Sequence, residues 1–144
     1  MRPWFSPTAK HLCLALGLAG TLAAHGQSVL LAPVADTFLS QEYPDKNFGA
    51  MGFVNAGTTE NRTAHRALYR FDIAGNVPAG ASITSATLFL EVVGSPSNGY
   101  DVPDVGLHRM LRDWGEGDNA ASTPRTAAPA DPGDANWTHR FAGT

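Results

Sequence analysis

Apolar and polar residues alternate over several short stretches of the chain, the pattern of β-strands that bury one face. The clearest stretch spans residues 85–93, where Ala86, Leu88, Leu90 and Val92 would face one side of a sheet. From Gln27 onward, no stretch of ten residues has clean helical periodicity. The pattern predicts strands at residues 29–32, 35–39, 52–56, 66–72, 85–93 and 105–110, with the start of a further strand at 136–141.

Turn residues separate these strands. Clusters of Pro, Gly, Asn and Asp occupy residues 43–47, 77–80 and 94–99, and residues 119–133 read as a long loop. Short strands with turns at this spacing predict an all-β fold, an antiparallel β-sandwich. Because an apolar segment closes the chain and would leave an open sheet edge, we expect the domain to be incomplete at its C-terminus.

The first 26 residues have the pattern of an export signal. Arg2 and Lys10 precede an uncharged, mostly apolar run at 12–24, and small residues at 24 and 26 suit a signal peptidase. A retained membrane anchor is the alternative, although the run is shorter than the roughly 20 residues that span a bilayer. We therefore expect a signal peptide at 1–26 and a secreted domain at 27–144, with no membrane span after signal removal.

Composition narrows the class of function. Hydrophobic residues make up 43% of the chain and charged residues 16%, which excludes a disordered chain. Ten basic against thirteen acidic residues give a net charge of -3, which argues against nucleic acid as a partner. The one cysteine falls inside the predicted signal, so the mature domain would contain no disulfide.

No local motif for a nucleophile, a phosphate loop or a zinc site is present, and we expect no enzymatic activity. Asp113 and Glu116, on either side of Trp114, are the one carboxylate pair that could serve glycoside hydrolysis. The simpler interpretation is that Trp114 fills one end of the core and that Glu116 pairs with an arginine.

Hard oxygen ligands for calcium are a second possibility. Asp36 with Asp45 and Asn47 of the following loop forms one candidate set, and the acidic residues at 113, 116 and 118 form another. Neither set has the spacing of an EF-hand. Calcium is therefore a possible cofactor, with no other cofactor indicated.

Basic residues on one strand face are the candidate binding residues. Arg66 and Arg70 lie four residues apart, so they share a face of the predicted strand, and Lys46 lies in an earlier loop. Arginine binds carboxylates in a bidentate manner, and an exposed Tyr43 could stack on a sugar ring. The alternative is that the arginines close internal salt bridges, with Asp72, Glu91 or Glu116 as partners.

Five phrases, in order, resemble the DNRLRE (disaggregatase-related) domain, which is similar to carbohydrate-binding module family 96. They are ADTFL at 35–39, NFG at 47–49, RALYRFD at 66–72, VPAGASITSATL at 77–88 and DWGEG at 113–117. The resemblance runs from about residue 34 to residue 141. Family members usually continue past a WTHRF phrase, found here at 137–141, with further strands, which again implies a truncated copy here.

The resemblance implies a jelly-roll-like β-sandwich on secreted proteins, often attached to polysaccharide-active enzymes. It also implies binding of an acidic polysaccharide such as alginate through basic residues, which Arg66 and Arg70 fit in position and chemistry. We expect a non-catalytic module with an acidic glycan as partner. A structural or adhesive surface module without a defined glycan is the alternative, and the sequence leaves the oligomeric state open.

Overall fold

The computed structural model of the chain describes residues 26–94 and 105–144. Its strands are β1 (Ala35–Ser40), β2 (Gly57–Thr58) and β3 (Ala64–Arg70), and a 3-10 turn spans Pro124–Thr126. Within these ranges, no helix has the length and apolarity needed to cross a membrane. The predicted signal lies almost wholly outside the described residues.

The three strands form one antiparallel sheet in the order β1-β3-β2. Ala35 of β1 lies opposite Arg70 of β3, and Ser40 lies opposite His65, which in turn pairs with Gly57 of β2. β1 and β3 match the predicted strands at 35–39 and 66–72 closely. The all-β, antiparallel class is therefore confirmed, and the sheet is consistent with a β-sandwich module.

Apolar clusters lie on both faces of the sheet. On one face Phe38 is fully buried and its ring stacks on Phe48 at 4.2 Å between centroids. The other face carries Leu68 and Trp114, the latter only 3% exposed, so the prediction that Trp114 fills the core is confirmed. The Phe38 cluster comprises Phe38, Phe48, Met51 and Ala127, and the Trp114 cluster comprises Ala35, Leu68, Trp114 and Ala135.

Several predicted strands are wrong. Residues 29–32, 52–56, 85–93 and 105–110 have no strand assignment. In the 85–93 segment, Phe89 is 81% exposed and Val92 80% exposed. Alternation of apolar and polar residues indicates which side chains could share a face, but a strand also needs a neighbouring strand for its backbone hydrogen bonds. No described strand pairs with these residues.

The predicted strand start at 136–141 is also wrong, because a polar side chain turns the backbone there. The Asn136 side-chain oxygen accepts hydrogen bonds from the backbone N–H groups of Thr138 and His139, at 3.0 and 2.8 Å. The Asn136 N–H in turn donates to the His139 carbonyl. Asparagine commonly stabilises such turns. The turn brings Trp137 toward the sheet.

Candidate functional site

Arg66 is the exposed cation of β3, on the same sheet face as Leu68. Its guanidinium carbon lies 4.7 Å from the centre of the Trp137 ring, the distance of a cation–π contact. No carboxylate lies within ion-pair distance of Arg66 among the residues described. Among the described residues, Arg66 therefore forms no internal salt bridge, and its side chain is exposed.

The loop after β1 holds Trp137 in place. The Trp137 N–H donates to the carbonyl of Pro44 at 3.2 Å, and the Asn136 turn fixes the residues on either side. Trp137 itself is half-buried. One ring face is therefore used by Arg66, while part of the indole remains accessible to a ligand.

Arg70 is bound within the protein. Its Nη2 donates to the Asp113 carboxylate at 2.5 Å and to the Trp114 carbonyl, and its guanidinium lies 4.8 Å from the centre of the Trp114 ring. An internal salt bridge was one of the two predicted roles, but its partner is Asp113 and not Asp72, Glu91 or Glu116.

A third arginine extends this surface. Arg140 donates to the Asp113 carbonyl at 2.7 Å and lies over the Phe141 ring at 5.7 Å. Three guanidinium groups thus lie over aromatic rings on one side of the sheet. We call this the arginine–aromatic surface, defined by Arg66, Arg70, Arg140 and Trp137, with the buried Trp114 ring beneath Arg70.

Lys46 and Tyr43 contact each other. The Lys46 ammonium lies 5.0 Å from the centre of the Tyr43 ring and donates to the Arg125 carbonyl. Tyr43 is half-buried against the Phe38 cluster. Both side chains therefore serve the packing of the loop, whose Pro44 borders Trp137, and neither is free in the way Arg66 is.

Two acidic side chains meet near the start of β1. Glu116 accepts a hydrogen bond from the Asp36 backbone N–H at 2.8 Å. Burial raises the pKa of Asp36 above its ordinary value, and the Glu116 carboxylate raises it further. Burial also raises the pKa of Tyr69, the partner of Asp36 across the strands, with Asp36 adding to the effect.

Asn47, one of the predicted calcium ligands, has a structural role. Its side chain is fully buried and donates to the carbonyls of Glu116 and Ala135, at 2.7 and 3.0 Å. Its oxygen accepts from the N–H groups of Gly49 and Asn119. Because both lone pairs of that oxygen are used, the amide is not available to a cation, and this corrects its predicted role.

The NFG and DWGEG phrases meet at Asn47. A side chain at Gly49 would place a Cβ 2.2 Å from the Glu116 carbonyl oxygen. Gly117 has φ +80°, and a Cβ there would lie 2.3 Å from the Asn47 amide oxygen. Both positions therefore require glycine. The two phrases build the join between the loop after β1 and the segment after Trp114.

The carboxylates that the fold brings together are not Asp36 and Asp45. Within the described ranges, oxygens of Asp118, Asp131 and Asp134 lie within 4.8 Å of one another. Asp45 is an exposed loop residue whose carbonyl accepts from Ala130. Of the acidic residues proposed as ligands, only Asp118 lies in this group.

Asp113 and Glu116, the pair considered for glycoside hydrolysis, each bind a different partner. The Asp113 carboxylate binds Arg70, and the Glu116 carboxylate accepts from the backbone of Asp36. Neither faces the other across a cleft. The arrangement gives no support to acid–base catalysis by these two residues.

Trp137 is the site residue that the sequence analysis missed. The sequence pattern predicts a strand start there, whereas the Asn136 turn places the Trp137 ring beside Arg66. Its contact with Arg66 depends on the path of the whole chain. No local pattern signals that contact.

Comparison with known proteins gives one match. The model of carbohydrate-binding module family 96 matches residues 27–122, which is two thirds of the chain. Neither a curated protein nor a solved structure matches the chain. The family is one of carbohydrate-binding modules. The chain belongs to carbohydrate-binding module family 96.

Proposed function

We propose that the protein is a secreted, non-catalytic module that binds an acidic polysaccharide at the arginine–aromatic surface. One observation carries the proposal: the exposed guanidinium of Arg66 lies over Trp137 and has no carboxylate partner among the described residues. A cation without an internal partner beside an indole can bind a sugar acid by charge and stack on its ring.

The chemistry of Arg66 favours a carboxylate ligand. Guanidinium is planar, stays charged and donates two parallel hydrogen bonds to a carboxylate. Stacking on Trp137 uses the face of the group and leaves its edge for such bonds. The chain has a net charge of -3, so the accessible Arg66 is a point of positive charge on a protein that is negative overall.

Secretion rests on the N-terminal pattern. Arg2 and Lys10 precede the apolar run, and the family match begins at residue 27, the first residue after the predicted signal. A polysaccharide ligand outside the cell is consistent with this export signal.

A structural or adhesive module without a defined glycan is the second candidate. Apolar side chains are exposed along two segments, with Phe89 81% and Leu111 83% exposed. Large contiguous apolar patches mark surfaces that contact other macromolecules, and the 85–93 segment exposes neighbouring Phe89, Val92 and Val93. This candidate predicts no saturable binding to any glycan.

Titration of the protein against alginate, polygalacturonate and a neutral glucan separates the two candidates. The proposal predicts saturable binding to the acidic polymers, weakened by added salt, and little binding to the glucan. Absence of binding to all three at modest salt would reject it. Equal binding to all three would reject the acidic ligand and keep a carbohydrate-binding role.

A further inference from the structure

A cavity of about 440 Å³, wide open to solvent, lies where β3 ends, and its walls include Arg70, Asp113 and Trp114. Arg112 also lines it, so two arginines and one carboxylate face the same space. Trp114 additionally lines a smaller cavity of about 110 Å³ that reaches Trp137. Met110 and Trp114 line both cavities, so the two lie next to each other.

Arg70 is held ready for an anion by contacts that do not involve Asp113. The Trp114 carbonyl accepts one Nη2 hydrogen, and the guanidinium lies over the Trp114 ring. The Nε and Nη1 hydrogens have no acceptor among the described residues. If Asp113 moved away, these contacts would still fix the guanidinium, and its free edge could bind a carboxylate.

The ion pair between Arg70 and Asp113 is exposed. The side chains are 40% and 74% accessible. Exposed pairs contribute little to stability because water screens the charges. An incoming carboxylate can therefore replace Asp113 at small cost, whereas the charge of Asp113, while in place, repels that carboxylate.

The spacing of the two arginines suits one chain of sugars. Arg66 and Arg70 lie on the same face of β3, about 13 Å apart at four residues of extended strand. A polymer with a carboxylate on each sugar can place one group at Arg66 and a later one at Arg70. A single sugar cannot bridge them.

We propose that the larger cavity, which Arg70 lines, is a second subsite for another carboxylate-bearing sugar of the same polysaccharide chain. Asp113 limits the occupancy of this subsite by competing for Arg70. The inference rests on the proposed function, since it extends the same surface. It assigns Asp113 a part in ligand selectivity: the residue acts as an internal counter-ion that a polysaccharide already anchored at Arg66 displaces more readily than a free sugar acid does.

The test compares wild type, Asp113→Asn and Glu60→Gln in titrations with oligogalacturonates of increasing length. Asparagine keeps the oxygen that accepts from the Trp114 N–H at 3.0 Å, so the local turn is retained. Glu60→Gln makes the same charge change at an exposed residue outside the cavity. We expect Asp113→Asn to bind the longer oligomers about two- to fivefold more tightly, and with a steeper dependence on salt. Glu60→Gln should bind as wild type does.

Two outcomes would overturn the subsite while leaving the proposed function intact: unchanged or weaker binding by Asp113→Asn, or an equal gain in Glu60→Gln. Absence of binding by the wild type would instead reject the proposed function and the subsite together. A second readout needs no variant. In the wild type, the NMR signal of the Arg70 Nε–H should shift when a long oligomer binds, and an unshifted signal in a saturated complex would reject the subsite.

Discussion

At the scale of single residues, Asn47 holds the described part of the fold together. Its amide joins the loop after β1 to the backbone of Glu116, Ala135 and Asn119 through hydrogen bonds of a fully buried side chain. Such a residue looks polar and loop-like in sequence, and the sequence pattern therefore offers it as a metal ligand. Only its burial shows that its partners are backbone groups.

Asn47→Ala should therefore destabilise the protein by about 3 kcal/mol, because buried carbonyl and N–H groups lose their partners. Urea unfolding measures the change. Asn55→Ala is the control: the described contacts give its side chain no hydrogen bond, and its cost should stay below about 0.5 kcal/mol. A loss below about 1 kcal/mol for Asn47→Ala, or its rescue by added calcium, would contradict the structural role.

His65 links stability to pH. Its Nε2 lies 3.0 Å from the Ser40 hydroxyl, which also accepts from the Tyr43 N–H, so His65 and Ser40 share one hydrogen bond. Burial lowers the pKa of His65 below 6.5, and nearby Glu42 opposes this shift. The unfolded chain therefore binds the proton first. The free energy of unfolding should fall as pH drops from 6.5 through the lower folded pKa.

Urea midpoints measured from about pH 8 to about pH 5 test this linkage. His65→Gln keeps an acceptor for Ser40 and cannot titrate, so its midpoint should change less over the same range. The difference between the two proteins isolates His65 from the other titrating groups. Parallel curves for the two proteins would show that His65 does not contribute.

At the scale of elements, two phenylalanines that look alike in the sequence differ in how deeply they are buried. Phe38 is fully buried and stacked on Phe48, whereas Phe89 is 81% exposed. Phe38→Ala should cost about 3–5 kcal/mol through the cavity it leaves. Phe89→Ala should cost less than about 0.5 kcal/mol. Urea unfolding of the two variants checks both values, and a similar large cost for each would mean that the 85–93 segment is packed.

The strands were only partly predictable. Local alternation predicts β1 and β3 correctly because these two segments pair with each other, with Phe38 opposite Ala67 and Thr37 opposite Leu68. The 85–93 pattern is more regular still, yet it has no described partner. Pairing depends on distant segments, so alternation alone could not distinguish these cases.

The site was predictable in part for a similar reason. The sequence placed Arg66 and Arg70 on one face, which the strand confirms. It could not distinguish the free Arg66 from the paired Arg70, because Asp113 and Trp137 reach them from distant loops. The sequence shows the chemistry of each side chain, but it does not show which residues that side chain contacts.

At the scale of the whole molecule, the net charge and the arginine–aromatic surface act on an acidic ligand in opposite directions. The chain carries a net charge of -3, so long-range repulsion opposes an acidic polymer, and binding depends on cations concentrated at the arginine–aromatic surface. Arg66 has no acidic side-chain partner among the described residues, and its guanidinium lies over the half-buried Trp137 ring. Removal of Arg66 should therefore affect binding far more than folding.

The most direct test is the dissociation constant for polygalacturonate of Arg66→Ala beside Arg125→Ala. Both variants lose one exposed arginine, and Arg125 lies in the 3-10 turn, outside the arginine–aromatic surface. We expect Arg66→Ala to bind about tenfold more weakly, with a loss of stability below about 1 kcal/mol, and Arg125→Ala to bind as wild type does. Equal binding by the two variants, or unfolding of Arg66→Ala, would contradict a ligand-binding role for Arg66.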